Sequence, residues 1–127
     1  MNIDRAIKKA LDFQNITDLV YHISKFKDWY RVVFVQNKGE YSFDIYKYND
    51  SDILYIENLY VDIRKLGTGS KVLTLFENIG RLMDISELDL FCRKEGFERK
   101  WYSKLGYKYC SFKDNENIWM NKHLIDE

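Results

Sequence analysis

A glycine-containing turn between a strand and a helix is the feature that most constrains the fold of this chain. The turn reads Arg64-Lys65-Leu66-Gly67-Thr68-Gly69-Ser70. Residues 53–61 carry no helical period and are predicted as a strand, whereas apolar residues recur at helical spacing over residues 72–83. Residues 87–91 are then short and apolar enough for another strand. Neighbouring strands joined through a helix are parallel, so a right-handed crossover is predicted here.

The two glycines of this turn make it a candidate anion site. Glycine has no Cβ, so Gly67 and Gly69 can take positive φ and let a ligand approach the backbone. The helix that begins near Thr68 adds unpaired N–H groups and the positive end of its dipole, which suit a pyrophosphate. The turn lacks the Lys-Ser/Thr pair of a Walker loop and the third glycine of a dinucleotide fingerprint. The competing interpretation is a helix entry whose glycines only satisfy turn geometry.

Two short helices are predicted before the first strand. Residues 3–11 place their apolar side chains at i, i+3, i+4, i+7 and i+8, the pattern of an amphipathic helix. A second helix is predicted from the same spacing, with Asn15 as its N-cap. Its apolar positions are Ile16, Leu19, Val20, Ile23 and Phe26.

The remaining segments predict strands and one more helix. Residues 30–36 and 40–48 form a hairpin around 37–39, and the strand at 53–61 completes a three-stranded meander. Phe97, Trp101 and Leu105 share one face of a short helix that Gly106 is placed to end in the left-handed conformation. Residues 107–112 and 117–124 then form a closing hairpin.

Composition restricts the class of protein. With 127 residues and 46% apolar side chains, one domain over residues 1–127 is expected. Twenty basic and twenty acidic residues cancel, so nucleic acid is not expected as a partner. No apolar run approaches the length of a membrane span and the N-terminus is charged, so we expect a cytoplasmic protein without membrane contact. Cys92 and Cys110 form no CxxC motif, and neither a metal site nor a disulfide is expected.

Two motifs in order resemble those of the GCN5-related N-acetyltransferases. Leu59-Tyr60-Val61-Asp62 resembles the fourth strand of that family, and Arg64-x-x-Gly67-x-Gly69 resembles its coenzyme A pyrophosphate loop. Leu88-Asp89-Leu90-Phe91 is similar to the fifth strand, and Trp101-Tyr102-Ser103-Lys104-Leu105-Gly106-Tyr107 is similar to the aromatic-Tyr-x-Lys-Leu-Gly-Phe signature. The resemblance extends from about residue 53 to the C-terminus.

The resemblance implies an α/β (α+β) fold in a single domain. Its sheet is mixed, twisted and largely antiparallel, with helices on both faces. With the elements predicted above, the order is α-α-β-β-β-α-β-α-β-β. The first strand of the family is expected to be absent or very short in this chain.

The resemblance also implies the activity and the residues that bind the cofactor. Acetyl-CoA would be the co-substrate, and its acetyl group would pass to a primary amine. The backbone of Tyr60, Val61 and Asp62 would pair with the pantetheine arm and polarise the thioester carbonyl. The pyrophosphate would be held by the turn, that is by Arg64, Leu66, Gly67, Thr68, Gly69 and Ser70.

The catalytic groups are assigned with alternatives. By resemblance Tyr102 is the general acid, because a phenol is protonated at neutral pH and can donate to the leaving thiolate. Glu57 is a candidate general base, since it shares a face of its strand with Leu59 and Val61, the side assigned to the core or cleft. A solvated or strand-edge carboxylate is the alternative for Glu57. A buried thiol fits Cys92 better than a role beside the cofactor.

The acceptor and the oligomeric state stay open at this stage. A small-molecule amine and a protein or peptide amine are both compatible with the sequence. Four aspartates could suit a cationic amine, but they lie among lysines and fit a solvated surface better; they are Asp12, Asp18, Asp28 and Asp44. His22 and His123 lie outside the motifs and are not assigned to catalysis. The alternative function is a non-catalytic module of the same fold that binds coenzyme A or a protein partner, and the closing hairpin could pair in a homodimer.

Overall fold

The computed structural model describes residues 1–62, 64 and 67–124, which form three helices and seven strands. In chain order they are α1 (Ile3–Phe13), β1 (Leu19–Lys25), β2 (Trp29–Gln36), β3 (Tyr41–Tyr48), β4 (Ile53–Val61), α2 (Thr68–Leu82), β5 (Glu87–Arg93), α3 (Phe97–Lys104), β6 (Lys108–Phe112) and β7 (Asn117–His123). The strands form one sheet in the order β1-β2-β3-β4-β5-β7-β6.

The mixed, mostly antiparallel sheet confirms the predicted fold class. Neighbouring strands are antiparallel except β4 and β5, which are parallel and joined through α2. The meander, the crossover unit and the closing hairpin therefore stand where the sequence predicted them. Gly106 ends α3 with a φ of 97°, as its position indicated.

The predicted second helix, over residues 16–26, is wrong. The segment forms β1, a strand of seven residues that pairs antiparallel with β2. Its spacing fits both periods, but Val20 is 58% exposed while Tyr21 and Ile23 pack against the core, which is the alternation of a strand. Asn15 is not an N-cap, because it takes a left-handed φ of 56° in the turn after α1.

The expectation of helices on both faces is also wrong for the part of the chain that the structure describes. Buried side chains of all three helices join one cluster with the inward residues of the sheet. Tyr21 of β1 donates to Asp4 of α1, which places α1 on this same face over the outer strands. We call this side the helix face and the opposite side the open face.

The centre of the core lies between the helix face of the sheet and helices α1 and α2. The rings of Phe34 and Phe43 stack at 4.4 Å on neighbouring strands, and Tyr21 approaches Phe34 at 5.9 Å. Phe76 of α2 is fully buried in the same cluster. Phe, Leu and Ile packed this densely supply most of the free energy that opposes chain entropy.

A cluster of charged side chains between β7 and α2 connects the end of α3 to the rest of the molecule. The Nζ of Lys122 donates to Glu77 Oε2 at 3.0 Å and to the carbonyl of Leu105 at 2.9 Å. Arg81 donates to the other Glu77 oxygen at 2.9 Å. Burial raises the pKa of Glu77, but the hydrogen bonds from Lys122 and Arg81 outweigh it, so this pKa is lowered overall.

The lowered pKa predicts how Glu77→Gln changes stability with pH. Because the folded-state pKa lies below the unfolded-state value of about 4.3, the carboxylate adds stability above that pH. The contribution is lost as pH falls through the folded-state pKa. We expect Glu77→Gln to lower Tm at neutral pH and to approach the wild type near pH 3, measured by circular dichroism. Equal differences at both pH values would contradict this origin.

Candidate active site

A cavity opens where the two parallel strands separate. β4 and β5 pair only from Ile53↔Glu87 to Tyr55↔Asp89, and their later residues diverge. The gap between them encloses about 300 Å³. It is lined by Ile56, Glu57, Asn58, Leu59, Leu90, Phe91, Cys92, Arg93, Glu98, Tyr102 and Asn117. These side chains belong to both faces of the sheet.

A bulge in β4 lies at the edge of this cavity. The pairing with β3 shifts by one residue between Ser42↔Tyr60 and Asp44↔Glu57. Asn58 takes a left-handed φ of 53° there, and its Nδ2 donates to Asp44 Oδ2 at 2.9 Å. An extra residue of this kind reverses which side chains face the core beyond it.

The bulge corrects the expected face of Glu57. Leu59 and Val61 pack against the core, whereas Glu57 precedes the bulge and lies on the open face. Its carboxylate forms an ion pair with Arg31, which also donates to Asp44 at 3.0 Å. Glu57 still lines the cavity, but a proton acceptor role there would compete with the guanidinium for its oxygens.

Tyr102 reaches the cavity from the helix face. It is 5% exposed, and its ring lies 6.1 Å from that of Tyr107. Burial raises the pKa of Tyr102, and the nearby Glu98 and Cys92 raise it further. The phenol is therefore protonated at neutral pH, so it can act as a proton donor into the cavity.

The glycine turn leads into an uncapped helix. Gly67 is the N-cap of α2 with a φ of 83°, and no side chain among the described residues caps this end. The first bond of the helix runs from Lys71 N–H to the Gly67 carbonyl at 3.0 Å, which leaves the amides of residues 68–70 unused by the helix. No acidic side chain lies in the first turn.

Gly69, the second glycine of the turn, is required for packing and not for a positive φ. Gly69 is helical, and a Cβ there would lie 2.7 Å from the indole of Trp101. Gly69 therefore lets α3 approach the N-terminal end of α2, beside Tyr102. Of the two glycines, Gly67 takes the left-handed conformation, and a Cβ on it would meet no atom of the described residues beyond its chain neighbours within 4 Å.

The rest of the predicted loop is placed as follows. Leu66 lies outside the described residues. Arg64 is exposed and donates to both carboxylate oxygens of Asp62 at 3.0 Å. The Asp62 N–H donates to the Glu40 carbonyl, so strand alternation turns the N–H and C=O of Val61 toward the cavity edge. Tyr60 is 53% exposed.

Residues that the sequence left aside are now located. Cys92 lines the cavity with its sulfur 3.6 Å from that of Met120, and burial raises the pKa of its thiol, so it is a poor nucleophile. His123 lies near Glu87 at 3.8 Å, and His22 is exposed on β1. Glu98 was not predicted, although it precedes Tyr102 by one helical turn and so shares its face.

Two absences apply to the described residues. No group of three His, Cys, Asp or Glu side chains is arranged to hold a metal ion. None of the described helices is long and apolar enough to cross a membrane.

Comparisons with known proteins identify the fold. No protein-family model matches the chain, and no curated protein sequence matches it. Among solved structures, a Klebsiella pneumoniae protein named as an acyl-CoA N-acyltransferase is 19% identical with a TM-score of 0.62, over 96% of this chain and 89% of that one. The Escherichia coli ribosomal-protein-S18-alanine N-acetyltransferase is 15% identical with a TM-score of 0.61, over 81% of this chain and 74% of that one.

A third neighbour was solved with its cofactor. The PaiA N-acetyltransferase of Thermoplasma acidophilum, in complex with coenzyme A, is 17% identical with a TM-score of 0.59. The match covers 76% of this chain and 61% of that protein. Other neighbours include a nourseothricin acetyltransferase. These likenesses agree with the motifs quoted above, and this chain has the fold of the GCN5-related N-acetyltransferases.

Proposed function

We propose that this protein is an acetyl-CoA-dependent N-acetyltransferase acting on a primary amine. The observation that carries the proposal is the placement of Tyr102. It lines the cavity between the diverging strands, and its neighbour Trp101 packs on Gly69 at the uncapped end of α2. A phosphate site and a proton donor are thus adjacent on the helix face.

The turn fits the diphosphate of coenzyme A. The first-turn amides of Thr68, Gly69 and Ser70, with the positive end of the helix dipole, favour an anion there. A Cβ built on Gly67 would meet none of the described residues beyond its chain neighbours within 4 Å. Arg64 and Leu66 remain predicted contacts of the same loop.

The backbone of β4 would bind the pantetheine arm and the thioester carbonyl of acetyl-CoA. Val61 turns its N–H and C=O toward the cavity edge, where an extended pantetheine arm can pair with them. An N–H donor at the bulge or at residues 60–62 would stabilise the oxyanion that develops on the carbonyl. Of these residues, Asp62 has its own N–H already bonded to the carbonyl of Glu40, just before β3.

Proton transfers complete the chemistry. The amine nitrogen bonds to the acetyl carbon, the carbon to sulfur bond breaks, and the amine loses a proton. Tyr102 gives its proton to the departing thiolate, and Glu57 accepts the amine proton directly or through water. Acid and base thus approach the acetyl group from opposite faces of the sheet.

Calorimetry with acetyl-CoA tests the site before any acceptor is known. We expect one binding site per chain. The variant Ser70→Glu should weaken binding by about tenfold, because it places a carboxylate beside the diphosphate in the first turn of α2. The matched variant Ser70→Gln keeps the size without the charge and should bind like the wild type. Absence of binding by the wild type would refute both the loop assignment and the enzyme.

Turnover separates the enzyme from a non-catalytic module of the same fold. Thiol release is measured with acetyl-CoA across a panel of primary amines. Acetyl-CoA binding without release on any amine or lysine peptide would favour the module, in which Glu57 is held by Arg31 for structure alone.

A further inference from the structure

The open face of the sheet carries a row of aromatic side chains, which we call the aromatic row. Its members are Tyr46, Tyr48, Tyr55, Phe91 and Trp119. Tyr46 and Tyr55 stack at 4.6 Å, and Trp119 meets both Tyr55 and Phe91 edge to face. Tyr48 is 45% exposed. None of the described helices lies over this side of the sheet, so part of the row stays exposed to solvent in a single chain.

Three valines continue this apolar surface toward the edge of the sheet. Val20 of β1 pairs directly with Val35 of β2, and Val33 lies two residues before Val35. Alternate residues of a strand share a face, so all three side chains lie on the open face. Val20 is 58% exposed, Val35 is 49% exposed and Val33 is 38% exposed. Apolar side chains therefore extend from β1 to β7, and a contiguous apolar patch of this width usually marks an interaction site.

The size of the open face matches one half of a stable dimer interface. Seven strands about 4.8 Å apart and about 20 Å long give a face of roughly 600 Å² in flat projection. Two copies packed face to face would bury about 1,200 Å² or more in total, which is enough for a specific interface. Two sheets packed in this way lie about 10 Å apart with interdigitated side chains, as in the core of a β-sandwich. A small molecule would instead need a concave site.

Charge on the open face is divided across the cavity between β4 and β5. Asp44 and Glu57, on the β3–β4 side, share the single guanidinium of Arg31, so one negative charge is left in excess there. Arg93 and Lys113 lie on the other side of the cavity mouth. The ammonium of Lys113 is 4.5 Å from the centre of an aromatic ring of β5. The two sides of the cavity mouth therefore carry opposite charges.

The other charges on this side of the molecule do not change the balance. Burial and a hydrogen bond with Glu87 raise the pKa of Asp89 to about 8, so Asp89 is mostly neutral at neutral pH. Glu87 lies 3.8 Å from His123. Arg93 lies 3.6 Å from Glu116, and such an exposed ion pair contributes little. A face that carries both signs suits neither a polycation nor a polyanion as its partner.

A two-fold axis along the strands brings these opposite charges together. In a symmetric dimer of this kind the same surface of both copies forms the interface. When the axis passes through the cavity mouth parallel to β4 and β5, the β3–β4 side of one copy lies over the β5–β7 side of its partner. The carboxylates of each copy then face the cations of the other. The open face is in this sense complementary to itself.

We propose that the open face is the interface of a homodimer, in which the sheets of two copies pack face to face about a two-fold axis along the strands. This goes beyond the proposed acetyltransferase function and does not depend on it, because the uncapped end of α2 and Tyr102 lie on the helix face. The interface also differs from the closing hairpin, which was the candidate from the sequence.

Sedimentation equilibrium of the full chain tests the dimer over a wide range of protein concentration. We expect a species of twice the 15.4 kDa chain mass that dissociates on dilution. Tyr48→Lys and Val35→Lys each place an ammonium group in the interface and should raise the dimer Kd by at least about tenfold. Both side chains are about half exposed in a single chain, so these variants should fold, and Tm is measured alongside.

Phe112→Lys is the matched control for these two variants. Phe112 is 70% exposed on β6 and pairs with Ile118, whose side chain is buried on the helix face. The variant therefore adds the same charge to the closing hairpin and not to the open face. We expect it to leave the dimer Kd unchanged.

Lys113→Glu tests the orientation of the two copies. The new carboxylate would face Asp44 and Glu57 of the partner subunit, so the dimer Kd should rise by about tenfold. Lys100→Glu makes the same change at an exposed position of α3 and should have no effect.

The outcomes decide between the possible arrangements. A wild type that stays monomeric at every concentration would overturn the proposal. A dimer that Phe112→Lys dissociates and Tyr48→Lys does not would overturn it in favour of the closing hairpin. A dimer that ignores Lys113→Glu would overturn the two-fold arrangement along the strands.

The dimer and the enzyme fail independently of each other. A dimeric wild type that does not bind acetyl-CoA in calorimetry would refute the enzyme and keep the interface. A monomeric wild type that binds acetyl-CoA and acetylates amines would refute the interface and keep the enzyme.

Discussion

Tyr102→Phe should lower kcat for amine acetylation by about 10² to 10⁴ and leave the Kd for acetyl-CoA unchanged. The range is the usual contribution of a positioned proton donor. The ring stays, so packing against Trp101 and Tyr107 is kept, while the departing thiolate loses its proton source. Steady-state thiol release gives kcat, and calorimetry gives Kd.

Tyr107→Phe is the matched control for this variant. Tyr107 is a buried neighbour whose hydroxyl finds no hydrogen-bond partner among the described residues. Removing it should leave kcat unchanged and should not lower Tm, because an unsatisfied buried hydroxyl costs free energy. If Tyr102→Phe turned over like the wild type, Tyr102 would not be the acid.

Phe34→Ala should lower the free energy of unfolding by about 3 to 5 kcal/mol. Phe34 is fully buried on β2, between Tyr21 of β1 and Phe43 of β3. The loss combines the transfer of the ring with the cavity it leaves, and it is a large fraction of the stability of a domain this size. Urea unfolding followed by tryptophan fluorescence measures it.

A phenylalanine to alanine substitution at an exposed position is the control for Phe34→Ala. Phe13→Ala removes a ring that is 80% exposed at the end of α1 and should change stability by less than about 0.5 kcal/mol. A small loss for Phe34→Ala would mean that β1 does not close the core over Phe34, against the pairing of Tyr21 with Phe34.

Local signals were enough to predict the elements that frame the cavity. The period of residues 72–83 and the glycine before them identified α2 and its N-terminal end. The segment that became β1 was ambiguous, because residues 16–26 place apolar side chains at spacings that suit both a helix and a half-buried strand. The segment forms a strand because it pairs with β2, and such pairing is a tertiary interaction that local spacing does not encode.

The candidate site was predictable only in part for a similar reason. Tyr102 belongs to a motif, and Glu98 could have been found one helical turn before it. The bulge at Asn58 depends on the register of β4 against β3, so the true face of Glu57 could not be derived from alternation alone. The aromatic row on the open face likewise joins residues from separate strands that only the sheet brings together.

β4 and β5 pair over only a short length, and this boundary separates two groups of strands that come from the first and second halves of the sequence. Strands β1 to β4 come from residues 19–61, strands β5 to β7 come from residues 87–123, and three residue pairs join the two groups. A molecule bound in the cavity touches both groups, and so its binding free energy adds to the cohesion of the fold by RT ln(1 + [L]/Kd). At a ligand concentration of 100 Kd this is about 2.7 kcal/mol. The lifetime of the protein in a cell would then rise and fall with the supply of the ligand.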